Sequence, residues 1–492
     1  MKKLNYFSAI VFLFVSNLIF SQDLSTFISY FEDATMRIDY FHIGDSESEL
    51  LTVDHIYKQG MWAGSQSNLI DNFNNGAYYY KIYDKETGNL IFSKGFDSYF
   101  KEYQTSAKAL EGTKRTFHET AIIPYPKKEI KFALEKRDEE NKLVEIYSKS
   151  INPNDISIIR DKIFDKSIEV TKSLFNGDPH TKLDVVIVAE GYTIDDKEKY
   201  LEDLKKFTKV FTETEPYNSK KDKFNIYGLF KPSEESGVDE PRAGIYKNTT
   251  LNATFNSMGS ERYLLTEDNK TLRDIAAHVP YDAIYIMVNH HRYGGGGIYN
   301  WNCTFTTDNQ FNEYLFIHEF GHSFAGLADE YYTSSTAYDN FYKPTLEPVE
   351  PNITALLDPN DIKWQEFLSE GIELPTPWEK KDFDKTSYTW QEKRREMNDN
   401  TAELKKANAP SEKIEEAEKL YAQKDREETD KTDRYLQSSK YWGKIGAFEG
   451  AGYMANGLYR PMLDCIMFSK GEKPFCKVCE SAIIKVINHY TE

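Results

Sequence analysis

The pattern of apolar and polar positions divides the chain in two. From residue 23 to 152 it is strand-like, with short apolar and aromatic runs broken by polar turns. Ala77-Tyr-Tyr-Tyr-Lys-Ile-Tyr, then Asp84-Lys-Glu-Thr-Gly-Asn, then Leu90-Ile-Phe-Ser reads as strand, turn and strand. Ile122-Ile-Pro-Tyr-Pro and Ile130-Lys-Phe-Ala-Leu-Glu continue in the same manner. A β-sandwich accessory domain is expected over 23–152, followed by a linker at 153–178.

From residue 179 the pattern changes. Leu183-Asp-Val-Val-Ile-Val-Ala is the kind of β-branched run that lies in a sheet covered on both faces. Gly191-Tyr-Thr-Ile-Asp-Asp opens a helical stretch, with Thr193 as its expected N-cap. Phe224-Asn-Ile-Tyr-Gly-Leu-Phe and Ala283-Ile-Tyr-Ile-Met-Val predict further strands, so 179–492 is expected to be one domain around a mixed sheet. The fold class is α+β. Within it, 375–441 is rich in Lys, Glu and Asp, and Pro410 splits it into two helical runs. A solvated helical hairpin inserted into this domain is the expectation; a partner-binding arm is the alternative.

Composition narrows the class. Of 492 residues, 40% are hydrophobic and 28% charged, as in soluble globular proteins. The formal charge of −18 disfavours nucleic acid as a partner, because phosphate contacts need clustered Lys and Arg. Lys2 and Lys3, the apolar run Ala9 to Phe20, and Ser21-Gln22 have the layout of a signal peptide at 1–21, cleaved near Ser21. The protein is therefore expected to be exported to the periplasm or beyond, without stable membrane insertion. Cys303, Cys465, Cys476 and Cys479 then suggest a disulfide staple in the C-terminal segment. Cys476-x-x-Cys479 also allows a metal knuckle or a redox pair, but neither is favoured: no second ligand pair lies nearby and no thioredoxin-like βαβ pattern surrounds it.

The chemistry concentrates in His318-Glu-Phe-Gly-His322-Ser-Phe-Ala-Gly326-Leu-Ala-Asp329-Glu330. Asn312 is the expected N-cap and Gly326 the expected stop of a helix. His318 and His322, four residues apart, share one helical face and can reach a single Zn2+ ion. Glu319 stands beside them to take a proton from water held by the metal. A hydrolytic zinc site needs a third protein ligand. Asp329, folded back by the glycine turn, is the choice and Glu330 its rival. Tyr459 or Arg460 is the expected oxyanion donor and Met467 a methionine turn beneath the metal. Gly294 to Gly297 lacks the Lys-Ser/Thr of a phosphate loop and is expected to be a mobile rim to the cleft.

This long motif, with Tyr-Gly-Gly-Gly-Gly-Ile-Tyr-Asn at 293–300, Phe-Glu-Gly-Ala-Gly-Tyr at 448–453 and Tyr459-Arg-Pro, resembles the IgA-peptidase family of zinc metallopeptidases. Asp39-Tyr-Phe-His is similar to the β-rich domain that precedes the catalytic one in that family. The resemblance implies a metzincin-like catalytic domain, zinc, and endopeptidase action on a protein or glycoprotein. It also implies His318 and His322 as ligands and Glu319 as general base. The chain departs from the metzincin pattern in having no third His; Asp329 stands one residue later than that pattern would place it. The alternative function is a non-catalytic exported protein that binds protein or glycan on the same fold, against which the intact Glu319 argues.

Overall fold

A computed structural model describes residues 24–333 and 342–492; the expected signal peptide lies outside them. Helix α1 (24–30) precedes seven antiparallel strands that form two sheets, and the short helices α2 (Tyr99–Gln104) and α3 (Ala107–Leu110) follow the fourth strand. One, in the order β2-β1-β5, comprises β1 (Phe31–Gly44), β2 (Glu49–Lys58) and β5 (Arg115–Pro126). The other, β4-β3-β6-β7, comprises β3 (Tyr78–Asp84), β4 (Leu90–Phe96), β6 (Ile130–Arg137) and β7 (Leu143–Ile151). Period-two alternation turns Met36, Ile38 and Tyr40 of β1 and Tyr78, Tyr80 and Ile82 of β3 into one shared core. This is the expected sandwich. The segments 122–126 and 130–135 do not pair with each other, because the chain crosses between layers there.

The second domain is built on a six-stranded sheet in the order β12-β13-β11-β9-β10-β8. Its parallel centre is β13 (Asn302–Thr306), β11 (Ala283–Val288), β9 (Leu183–Glu190) and β10 (Phe224–Phe230). Antiparallel edges are added by β12 (Gly295–Ile298) and β8 (Glu169–Leu174). Residues 169–174, expected in the linker, thus belong to this sheet. The apolar run of β9 follows from burial on both faces. Val185, Ile187 and Ala189 pack with α4 (Lys197–Glu213) and α6 (Asn312–Ala325), while Val186 and Val188 pack with α5 (Asn269–Ala276). Helix α4 begins after Thr193 rather than on it: the Asp196 carboxylate accepts from the Thr193 N–H (2.9 Å) and hydroxyl (2.8 Å), closing a turn first.

The charged insertion is a helical hairpin, α7 (Lys380–Lys406) and α8 (Ser411–Gln437), with Pro410 at the start of the second arm. Phe383 and Leu436 anchor its base in the main core, and Arg394 pairs with Glu261 at 2.6 Å. A two-stranded ribbon follows, β14 (Ile445–Ala451) and β15 (Met454–Met462), then α9 (Lys477–Thr491). The two domains are tied by Arg37, which bridges Asp39 and Asp274 of α5, and by contacts of α9 such as Asn68 Nδ2 to the His489 carbonyl (2.9 Å). Among the described residues no helix is long and apolar enough to cross a membrane.

Candidate metal centre

Helix α6 is apolar on almost every side because it is sandwiched between the sheet and α9. Its start is set one residue before the expected cap: Phe311 is the N-cap, and its N–H donates to Asn309 Oδ1 at 2.8 Å. Asn312 instead donates its side-chain amide to the Thr307 carbonyl. Its end is as expected. Gly326 takes a left-handed conformation (φ 62°), with its N–H on the His322 carbonyl (3.0 Å) and the Leu327 N–H on that of Gly321 (3.2 Å). That turn sends the chain back under the helix and carries Asp329 to the histidines.

The three groups meet at a point. His318 Nε2 and His322 Nε2 are 3.1 Å apart, and Asp329 Oδ1 is 3.1 Å from the first and 3.2 Å from the second. The other ring nitrogens are committed to backbone carbonyls: His318 Nδ1 to Ile466 (3.0 Å) and His322 Nδ1 to Leu327 (2.6 Å). These carbonyls fix the proton on Nδ1, so both Nε2 atoms present lone pairs to each other and to a carboxylate. Three bases so close require a cation between them, either a proton or a metal. The spacing suits zinc, since tetrahedral bonds of about 2.05 Å separate ligand atoms by about 3.3 Å. The proton alternative shows in His322: burial lowers its affinity for a proton, but Asp329 and Glu319 outweigh this and bring its pKa up to about 9.

A carboxylate oxygen of Glu319 and one ring nitrogen of each of His318 and His322 fall within 4.8 Å of one another, and the carboxylate points along β12. Burial raises its pKa, against the pull of His318 and His322. The glycines of β12 are a packing device rather than a mobile rim. A Cβ on Gly297 would lie 2.4 Å from the Glu319 carbonyl oxygen and 2.9 Å from His322 Cβ, so only glycine lets strand and helix approach this closely. Met467 is wholly buried, its sulfur against Gly321 and its carbonyl accepting from the Glu330 N–H at 2.8 Å.

Two expected residues do not reach the cleft. Arg460 is buried in the ribbon, donating to the carbonyls of Glu449 (3.2 Å), Gly450 (2.7 Å) and Leu463 (3.1 Å) between the rings of Trp378 and Phe468. Tyr459 lies on the same ribbon, its backbone paired with Glu449 of β14 on one side and with Thr354 on the other. The cleft is instead lined by Arg262, Tyr293, Tyr331 and Tyr453. Arg262 donates to the Tyr331 hydroxyl at 3.1 Å, and the Tyr453 hydroxyl donates to Asp329 Oδ2. Tyr331 follows the acidic pair directly and Tyr453 ends Phe-Glu-Gly-Ala-Gly-Tyr, so both sit in motifs already singled out; nothing in the sequence marks Arg262.

The disulfide staple is not formed: all four cysteines are free. Cys303 lies in β13, its Sγ directed at the Ile284 carbonyl, remote in the sheet from the other three. Glu330, the rival third ligand, turns away from the histidines to Cys479, whose Sγ is 3.3 Å from its Oε1.

Comparison with known proteins agrees with this architecture. The family model described as Peptidase M64 N-terminus matches residues 26–148, the sandwich. That described as IgA Peptidase M64 matches residues 168–487, the whole second domain from β8 into α9. No curated protein matches the chain. Since the second match alone spans well over half of its length, the chain belongs to the IgA Peptidase M64 family.

Proposed function

We propose that this protein is an exported, zinc-dependent endopeptidase acting on peptide bonds of proteins or glycoproteins. The observation that carries the reading is the triangle of His318, His322 and Asp329, whose edges of 3.1 to 3.2 Å suit one zinc ion. Family membership supplies the peptidase class. Export rests on the Lys2-Lys3 and Ala9–Phe20 pattern.

His318, His322 and Asp329 would hold the ion, which supplies a Lewis acid and a water acidic enough to attack near neutral pH. Glu319 accepts the proton of the attacking water and delivers it to the leaving amine nitrogen. Its burial, which raises its pKa, suits a group that must both take and return a proton. Arg262 and Tyr331 on the cleft wall, rather than Tyr459 and Arg460, face the negative charge that develops on the carbonyl oxygen.

The test is zinc content and cleavage of casein and glycoproteins, wild type beside Glu319→Gln. The variant is expected to keep its zinc and to lose at least about a hundredfold in turnover. A variant that still cleaves at the wild-type rate would remove Glu319 from the mechanism. A zinc-loaded wild type that cleaves nothing would favour the binding-protein alternative.

A further inference from the structure

Three of the cysteines lie together, outside the cleft. Cys465 sits in the turn after β15, Cys476 is the N-cap of α9, and Cys479 is one turn into that helix. Cys465 Sγ is 3.9 Å from Cys479 Sγ, and Cys476 Sγ is 3.6 Å from it. Glu330 Oε1 lies 3.3 Å from Cys479 Sγ, and the ligand atoms of all four residues fall within 4.8 Å of one another. All four are buried. We propose that Cys465, Cys476, Cys479 and Glu330 bind a second, structural zinc ion.

The distances argue for an ion rather than a bond. Zinc–sulfur bonds of about 2.3 Å in a tetrahedron put neighbouring sulfurs about 3.8 Å apart, whereas a disulfide needs about 2.05 Å. The observed 3.6 and 3.9 Å bracket the tetrahedral edge. Cys-x-x-Cys at a helix start is also how a zinc knuckle presents two thiolates, because the first turn points both sulfurs to one side. The backbone N–H of Cys476 donates to Cys465 Sγ at 3.2 Å, a bond that favours the thiolate, as does the positive end of α9.

A separate observation comes from Glu330. It is wholly buried, its Oε1 accepts from Asn352 Nδ2 at 3.1 Å, and among the described residues its Oε2 meets no hydrogen-bond donor. A buried carboxylate beside three thiols is costly unless a cation takes up its charge. Three thiolates and a carboxylate around Zn2+ leave two negative charges, and the buried Arg460 guanidinium, which interacts with Glu330, balances one of them.

Such an ion would pin three separate segments: the loop after α6, the turn at Cys465 to Met467, and the start of α9. Asp329 faces the histidines and Glu330 faces the cysteines, so adjacent residues serve two centres. The Cys465–Met467 turn also supplies the carbonyl that orients His318. The second ion therefore positions the first site without touching substrate.

Elemental analysis and cobalt substitution of the full chain test this. Cobalt-loaded wild type is expected to show thiolate-to-cobalt charge-transfer absorption, which a site of two imidazoles and a carboxylate does not give. His322→Ala is expected to lose one metal per chain and keep that absorption; Cys476→Ser is expected to lose the absorption. After unfolding in chelator, all four cysteines should titrate as thiols. No charge-transfer band in the cobalt-loaded wild type would overturn the proposal, as would an intact mass short of one hydrogen pair with a disulfide mapped among Cys465, Cys476 and Cys479. Neither result bears on Glu319.

Discussion

The hydroxyl of Tyr453 holds Asp329 Oδ2 while Oδ1 faces the two imidazoles. Tyr453 does so from a left-handed backbone conformation (φ 64°), costly for a bulky residue and kept where the side chain is needed. Tyr453→Phe is expected to weaken zinc binding about 10- to 100-fold, measured by competition with a chelator, because the ligand loses its orienting partner. His322 gives a pH dependence of known sign. Its pKa of about 9 in the metal-free protein means that a metal ion binding there at neutral pH would have to displace a proton. Zinc affinity of the apoprotein should rise about tenfold per pH unit up to about pH 9 and level off above it, which isothermal titration in buffers of different ionisation enthalpy would show. The legible part of the site was the part carried by one helix: a four-residue spacing fixes His318 and His322 wherever the helix lies, and a glycine stop returns the chain at a fixed distance. Arg262 and Tyr453 reach the cleft only through tertiary packing, which spacing does not encode. Tyr459 and Arg460 stay out of the cleft because their strand lies in a ribbon whose carbonyls use the guanidinium.

At the scale of elements, the contact between β12 and α6 is the least forgiving. A methyl group on Gly297 meets backbone on the helix rather than a movable side-chain tip. Gly297→Ala is expected to cost roughly 1–3 kcal/mol and to displace Glu319, read as a lower unfolding midpoint together with lost turnover at full zinc content. Long, strongly patterned elements were readable in advance: β9 by its continuous apolar run, the hairpin by Pro410 between two charged helical stretches. β8 was not, because Glu169–Leu174 is a short edge strand whose exposed and half-exposed residues carry no apolar period. The start of α4 falls later than Thr193 because Thr193 and Asp196 satisfy each other before the helix begins.

Across the whole molecule, stability depends on a titrating cluster in the sandwich. His42 lies between Glu119 (3.1 Å) and Glu49 (2.9 Å). Burial works against its charged form, but the two carboxylates outweigh it and raise its pKa. Burial likewise works against charged Glu49, yet His42 and Lys136 bring it down to about 2. A raised histidine contributes stability below its ordinary pKa and loses it as pH rises through the folded value. A depressed carboxylate contributes above its ordinary pKa and loses it as pH falls toward about 2. The excess thermal midpoint of wild type over His42→Gln is therefore expected to peak at about pH 5 to 6.5 and to shrink on either side.

The carbonyl that orients His318 belongs to Ile466, 148 residues further along the chain. During synthesis the helix bearing both histidines thus emerges long before the turn that fixes the proton and ring plane of His318. Until that later segment has been made and has docked, the nascent polypeptide carries the motif without the geometry. A peptidase assembled in this order stays inert while it is being translated, so the order of synthesis by itself spares the ribosome that makes it.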